Sequence, residues 1–190
     1  MSAQNKFDFD FNIQVDKVIS EKPTSFSELE EIFKNDLTDT LKLKFLAQKS
    51  KETSYLEGES YAYCQLGIFF REKSRYNTAI AYHQNSYNLA LSAENIELQI
   101  VNLNMLGVVN RKVANYTKAI EYHQMALKIA ENQEVLTKSL NASIAVSNNS
   151  IGNIYLALDD PDSAIENFNK SLAIEKAINN KLGLAMNYHN

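Results

Sequence analysis

The sequence has one cysteine, Cys64, two prolines, five glycines and no tryptophan. A single cysteine excludes an intrachain disulfide and any metal or redox motif built on a CxxC pair. So few prolines and glycines speak against a turn-rich β-sandwich and for long helices. Positive charge is also scarce: 19 Lys and Arg against 23 Asp and Glu leave a net charge of −4. Phosphate binding needs a basic face, so no nucleic-acid partner is expected. No apolar run reaches the roughly 18 residues of a membrane span, and no membrane partner is expected within this segment. The start, MSAQNKFDFDFNIQV, lacks the apolar centre of a targeting peptide, which points to the cytoplasm. The small residues Ser2 and Ala3 keep a periplasmic location open, as the stub of a signal peptide removed before Gln4.

What is present is repetition. With 45% apolar residues the chain can bury a real core, and one pattern recurs three times. The segments are CQLGIFFREKSRYNTAIAYHQNSYNLA, NMLGVVNRKVANYTKAIEYHQMALKIA and NSIGNIYLALDDPDSAIENFNKSLAIE. Gly67, Gly107 and Gly152 each follow an aliphatic residue, and twelve residues on come Ala79, Ala119 and Ala164, each before Ile. Small residues return at Ser86, Ala126 and Ser171, with Leu89, Ile129 and Ile174 three positions beyond. Small residues let two helices approach, and larger apolar ones fill the space between them, so each segment predicts a helix–turn–helix unit.

These residues resemble the tetratricopeptide repeat (TPR) family, whose motif is a Leu-Gly pair, an aromatic, an Ala, an aromatic and an Ala. The likeness covers roughly residues 55–190, and its Gly–Ala–small spacing is unchanged in all three copies. The periods, 40 residues from Gly67 to Gly107 and 45 from Gly107 to Gly152, exceed the usual repeat of about 34. They resemble a long-period subgroup that includes LGN, kinesin light chain and bacterial sensor domains. The family implies an all-α, right-handed α-solenoid of stacked antiparallel helix pairs.

The expected organisation is an N-terminal extension at 1–24 for which disorder stays open, then a degenerate capping helix pair at 25–56. Ser25 and Glu28 offer that pair a capping box. Three repeats follow at 57–94, 95–133 and 134–178, and 179–190 read as the first helix of a cut fourth repeat. That last segment suggests a piece of a longer protein, with self-association through Leu182, Leu184, Ala185 and Met186.

No catalytic constellation is visible: there is no GxSxG, no P-loop and no Cys/His pair with an orienting partner. Cys64 reads as a small packing residue. His83 and His123 share one repeat phase, where the family places a packing aromatic, so a structural role outweighs a metal site. The third histidine, His189, has no ligand set around it. The acidic run Asp159–Asp162 reads as a turn with Pro161 opening a helix, rather than as a calcium loop. No metal or cofactor is expected, and the chain is not read as an enzyme.

In the family, the first helices of the repeats line a concave groove that binds peptides. The facing stripe lies six and three residues before the Gly and one, four and five after it, a spacing that keeps side chains on one helical face. It assigns Tyr61, Cys64, Ile68 and Arg71 in the first repeat, Val101, Asn104, Val108 and Arg111 in the second, and Asn149 and Asn153 in the third. Two of only three arginines share one phase. They could pair bidentately with an acidic partner, while Asn104 and Asn149 could pair with an extended peptide backbone. The carboxylate clamp of chaperone-binding repeats is not matched at Cys64, Ile68, Val146 or Ser150. The implied function is a non-catalytic, peptide-binding scaffold. Two alternatives stay open: a ligand-sensing domain of a histidine kinase or helix-turn-helix regulator, and a regulatory segment of a larger enzyme. Heavy use of Asn, and of Lys over Arg, suggests a bacterial source.

Overall fold

Each described element is an α-helix. The computed structural model describes residues 9–189, except for the side chains of Met186, Tyr188 and His189. The expectations on the stub before Gln4, Met186 and His189 therefore lie outside the described residues. Contacts divide the chain into two compact units, Met1–Leu98 and Gln99–Asn190.

The first unit holds α1 (Phe9–Glu21), α2 (Phe26–Phe33), α3 (Thr40–Glu52), α4 (Leu56–Glu72) and α5 (Tyr76–Ser92). Within the extension expected at 1–24, Phe9–Glu21 is a helix whose Phe11, Val15 and Val18 enter the core beside Leu29, Phe33 and Leu46. Spacings of four and three put those side chains on one face of α1, which drives its docking. The capping box is corrected. Ser25 makes no side-chain cap, its Oγ meeting Ser27 Oγ at 2.9 Å, and the first amide of α2, Phe26 N–H, donates instead to the Glu97 carboxylate at 3.2 Å. Helices α4 and α5 meet through Ser60 and Ser86, each hydroxyl donating to the other residue's carbonyl, at 2.9 and 2.6 Å.

The second unit continues with α6 (Ile96–Lys112), α7 (Tyr116–Glu131), α8 (Lys138–Ala157), α9 (Pro161–Ala177) and α10 (Lys181–His189); the division between units falls just inside α6. The repeat positions are where close helix contact needs them. Ala79, Ala119 and Ala164 are fully buried, as are Ser86, Ala126 and Ser171. The acidic run is a helix start: Asp160 caps α9 by accepting from Ser163 N–H at 3.1 Å, and Pro161 is its first residue. In α10, Leu182 and Ala185 are exposed while Leu184 is half-buried.

The turns show why few glycines did not mean few turns. Ser54, Ser74, Glu94, Ala114, Asp159 and Asn179 all adopt positive φ of 51–59°. In each case the next amide reaches back five residues, as in Arg75 N–H to Phe70 O at 2.8 Å and Asn115 N–H to Asn110 O at 2.9 Å. This is the Schellman closure, which normally takes Gly because a Cβ is strained in the left-handed region. Replacing Ala114 with Gly should therefore raise stability by about 0.5–1 kcal/mol, relief of that strain exceeding the added freedom of the unfolded chain. Urea unfolding checks it, and a lowered midpoint would contradict it.

Candidate binding surface

The stripe assigned from sequence divides into covered and accessible residues. In the first unit, the Tyr61 ring is buried near Phe26 and Phe33, at centroid distances of 5.4 and 6.1 Å. Cys64 is also fully buried, and burial pushes its thiol up to about 12, outweighing the nearby charge of Arg71. It is held protonated. Ile68 and Arg71 are half-buried, and the Arg71 guanidinium lies 3.9 Å from the exposed Glu72 carboxylate.

In the second unit, Asn104 is buried at the centre of a polar network. Its Nδ2 donates to Ser143 O at 3.0 Å, and its Oδ1 accepts from Ser147 Oγ at 2.6 Å. The same Oδ1 lies 2.9 Å from His123 Nδ1. With the amide oriented by the Ser143 carbonyl, His123 Nδ1 must carry the proton, and the buried Nε2 is left without a partner. Burial lowers the His123 pKa to about 4, helped by the Arg111 charge nearby. Asn149 Nδ2 donates to Asn187 Oδ1 at 3.2 Å, and Asn187 Nδ2 donates to Ser171 Oγ at 3.0 Å. Asn153 donates back to the Asn149 carbonyl and side-chain oxygens, at 2.9 and 3.1 Å.

Tyr61, Cys64 and Asn104 are thus corrected from groove-facing to packing residues. The physical reason is that a first helix touches more than its own partner. Position −3 relative to the repeat Gly meets position −5 of the next first helix, in the pairs Asn104–Ser147 and Asn149–Asn187. Ser147 and Asn187 were not singled out from sequence. The available signal was a polar residue at −5 in two of the three copies, Asn102 and Ser147, against Ala62 in the first. What stays at least partly accessible is Ile68 and Arg71 in one unit, and Val101, Val108, Arg111, Asn149 and Asn153 in the other.

The two repeated histidines are packing rings. A Cβ built on Gly67 would fall 2.5 Å from the His83 ring, and one on Gly107 would fall 2.5 Å from His123. In the third repeat Phe168 occupies that phase, 2.6 Å from a Cβ on Gly152. Imidazole and phenyl do the same job, lying flat on a helix backbone laid bare by glycine. Among the described residues no three His, Cys, Asp or Glu side chains are grouped to hold a metal ion. Among the described residues no helix is long and apolar enough to cross a membrane.

Paired helices, an Ala at each close contact and a ring on each of the three repeat glycines, Gly67, Gly107 and Gly152, define a helical repeat protein of the α-solenoid class. Two tetratricopeptide-repeat family models match residues 59–132 and 145–178, together more than half of the chain. The chain belongs to the tetratricopeptide-repeat family. No curated protein matches it. Among solved structures, the crystal structure of MamA shares its fold with a TM-score of 0.51 over 93% of this chain and 96% of that one, at 18% identity. Repeat domains of this family are in general protein-interaction scaffolds rather than catalysts.

Proposed function

We propose that this scaffold recognises an extended, acidic segment of a partner protein, and that Arg111 is the principal anchor. One observation carries this reading. Arg111 is half-buried and makes no ion pair with any described carboxylate, and its covered Nε has no acceptor. Its terminal nitrogens are the groups left for an incoming carboxylate, which an arginine can grip with two parallel bonds. Val108, half-buried one turn before it on the same helix, offers the apolar contact beside it, and Val101, also half-buried, lies further along. Arg71 stands at the same repeat phase in the other unit, but its contact with Glu72 at 3.9 Å already occupies part of its charge.

The asparagines have a smaller part in this reading than the sequence suggested. Asn104, Asn149 and Asn153 bond within the array, so charge rather than backbone pairing sets the preference. A library of extended peptides graded in acidity tests the proposal. Acidic members should be enriched on the parent protein, and the enrichment should fade with rising salt, because exposed charge pairs are screened over about 8–10 Å. Enrichment of neutral or basic peptides would count against it.

A further inference from the structure

The geometry points to a second binding site, for a small anion bearing two oxyanion groups, in a cavity of the first unit formed by α3, α4 and α5. The cavity measures about 320 Å³ and is lined by Lys44, Gln48, Lys51, Tyr63, Tyr82 and Asn85. That size is at the lower end for small-molecule sites.

The lysines make the case. Every other described lysine of this unit has a partner. Lys17, Lys34, Lys42 and Lys49 pair with carboxylates. Lys22 donates to Thr53 O, and Lys73 lies over the Phe69 ring. Lys44 and Lys51 have no such partner among the described residues, and both line this one cavity. The two carboxylates next to the lining are already engaged, Glu59 with the Tyr63 hydroxyl and Glu52 with Gln48 and Lys49, so the two lysines are the charges left for a ligand.

Their spacing selects the ligand. Seven residues put Lys44 and Lys51 on one face of α3, two turns and about 10 Å apart. Flexible stems let each ammonium meet one end of a short dianion better than both can meet a single small ion. The walls between them are preformed. Tyr82 stacks on Phe70 at 5.4 Å and meets Tyr63 at 5.8 Å. Asn85 has no hydrogen-bond partner among the described residues and can donate its amide to the bound oxygens, while Gln48 keeps a second N–H after bonding Glu52 at 3.0 Å. The donors an oxyanion requires are the two ammonium groups and the Asn85 and Gln48 amides.

Calorimetric titration of the full chain with pyrophosphate, and separately with succinate, tests the site. The side-chain amide signal of Asn85 in an NMR titration reports the location. Saturable binding of at least one probe is expected, with a shift of the Asn85 signal. The double variant Lys44→Gln, Lys51→Gln should weaken it about tenfold or more, whereas Lys17→Gln, remote and already paired, should leave it unchanged. Since neither cavity lysine has an internal partner, the double variant should melt like the parent, which keeps the comparison interpretable. Absence of saturable binding of both probes, binding that survives the double variant, or binding without an Asn85 shift would each overturn the proposal. An acidic peptide that binds here while both small probes do not would overturn it as well. This site is independent of Arg111, so either proposal can fail alone.

Discussion

Replacing Gly107 with Ala should destabilise the protein by about 1–3 kcal/mol, the usual scale of overpacking. Elsewhere in a helix the same change stabilises by roughly 0.5–1 kcal/mol, so the sign itself is informative. Here the new methyl would fall 2.5 Å from Nε2 and 2.7 Å from Cδ2 of His123. That ring has no exposed surface, and its Nδ1 is tied to Asn104 at 2.9 Å. It cannot swing aside without breaking the network that includes Ser147. Gly152→Ala should cost less, because Phe168 is only half-buried and has no polar bond to lose. Urea unfolding of both variants gives the order, and a Gly107→Ala protein as stable as the parent would show that the ring does not rest on that glycine.

The second large effect is on acid stability. His123 titrates near 6.5 when unfolded and near 4 in the folded chain. Between these values the unfolded state binds the extra proton, so stability rises with pH there and is lost as pH falls from about 6.5 to about 4. The full difference corresponds to about 3 kcal/mol. Above pH 6.5 the residue contributes no slope. His123→Phe, which copies the third repeat, should flatten this part of the pH profile even if it lowers stability at pH 7 by removing a partner of Asn104. Denaturation midpoints at pH 7, 5.5 and 4 give the comparison, and a variant that keeps the parent's slope would place the acid sensitivity elsewhere. Arg111→Ala should act weakly in the same direction, since it removes a charge that opposes protonation.

The helix pairs were legible because their contacts are local in the repeat. Ala79, Ala119 and Ala164 sit at closest approach, and the His/His/Phe phase meets the glycine sixteen residues before it. Both ends of such a contact recur together, so a pattern in one dimension captures it. Helix α1 was less legible although Phe11, Val15 and Val18 carry the helical period, because it belongs to no repeat. The cap of α2 by Glu97 spans 71 residues and leaves no local mark. The binding stripe was legible only in part. A period along one helix identifies a face, but the next helix decides whether that face is open, and it covers Asn104 through Ser143 and Ser147. The cavity lysines were invisible for a related reason. Only the full set of ion pairs shows that Lys44 and Lys51 were left out of it.

Recognition of acidic segments through Arg111 is the central functional claim, and a matched titration tests it most directly. An acidic extended peptide and a neutral one of equal length would be titrated against the parent, Arg111→Ala, Arg111→Lys and Lys138→Ala. The parent should prefer the acidic peptide, and Arg111→Ala should remove about 1.5–3 kcal/mol of that affinity, the range for hydrogen bonds to charged groups. Arg111→Lys should recover only part of it, because a lysine keeps the charge but not the paired geometry, and Lys138→Ala should match the parent. If the parent shows no preference for the acidic peptide, or if its affinity survives Arg111→Ala, the anchor is not Arg111 and the claim is contradicted.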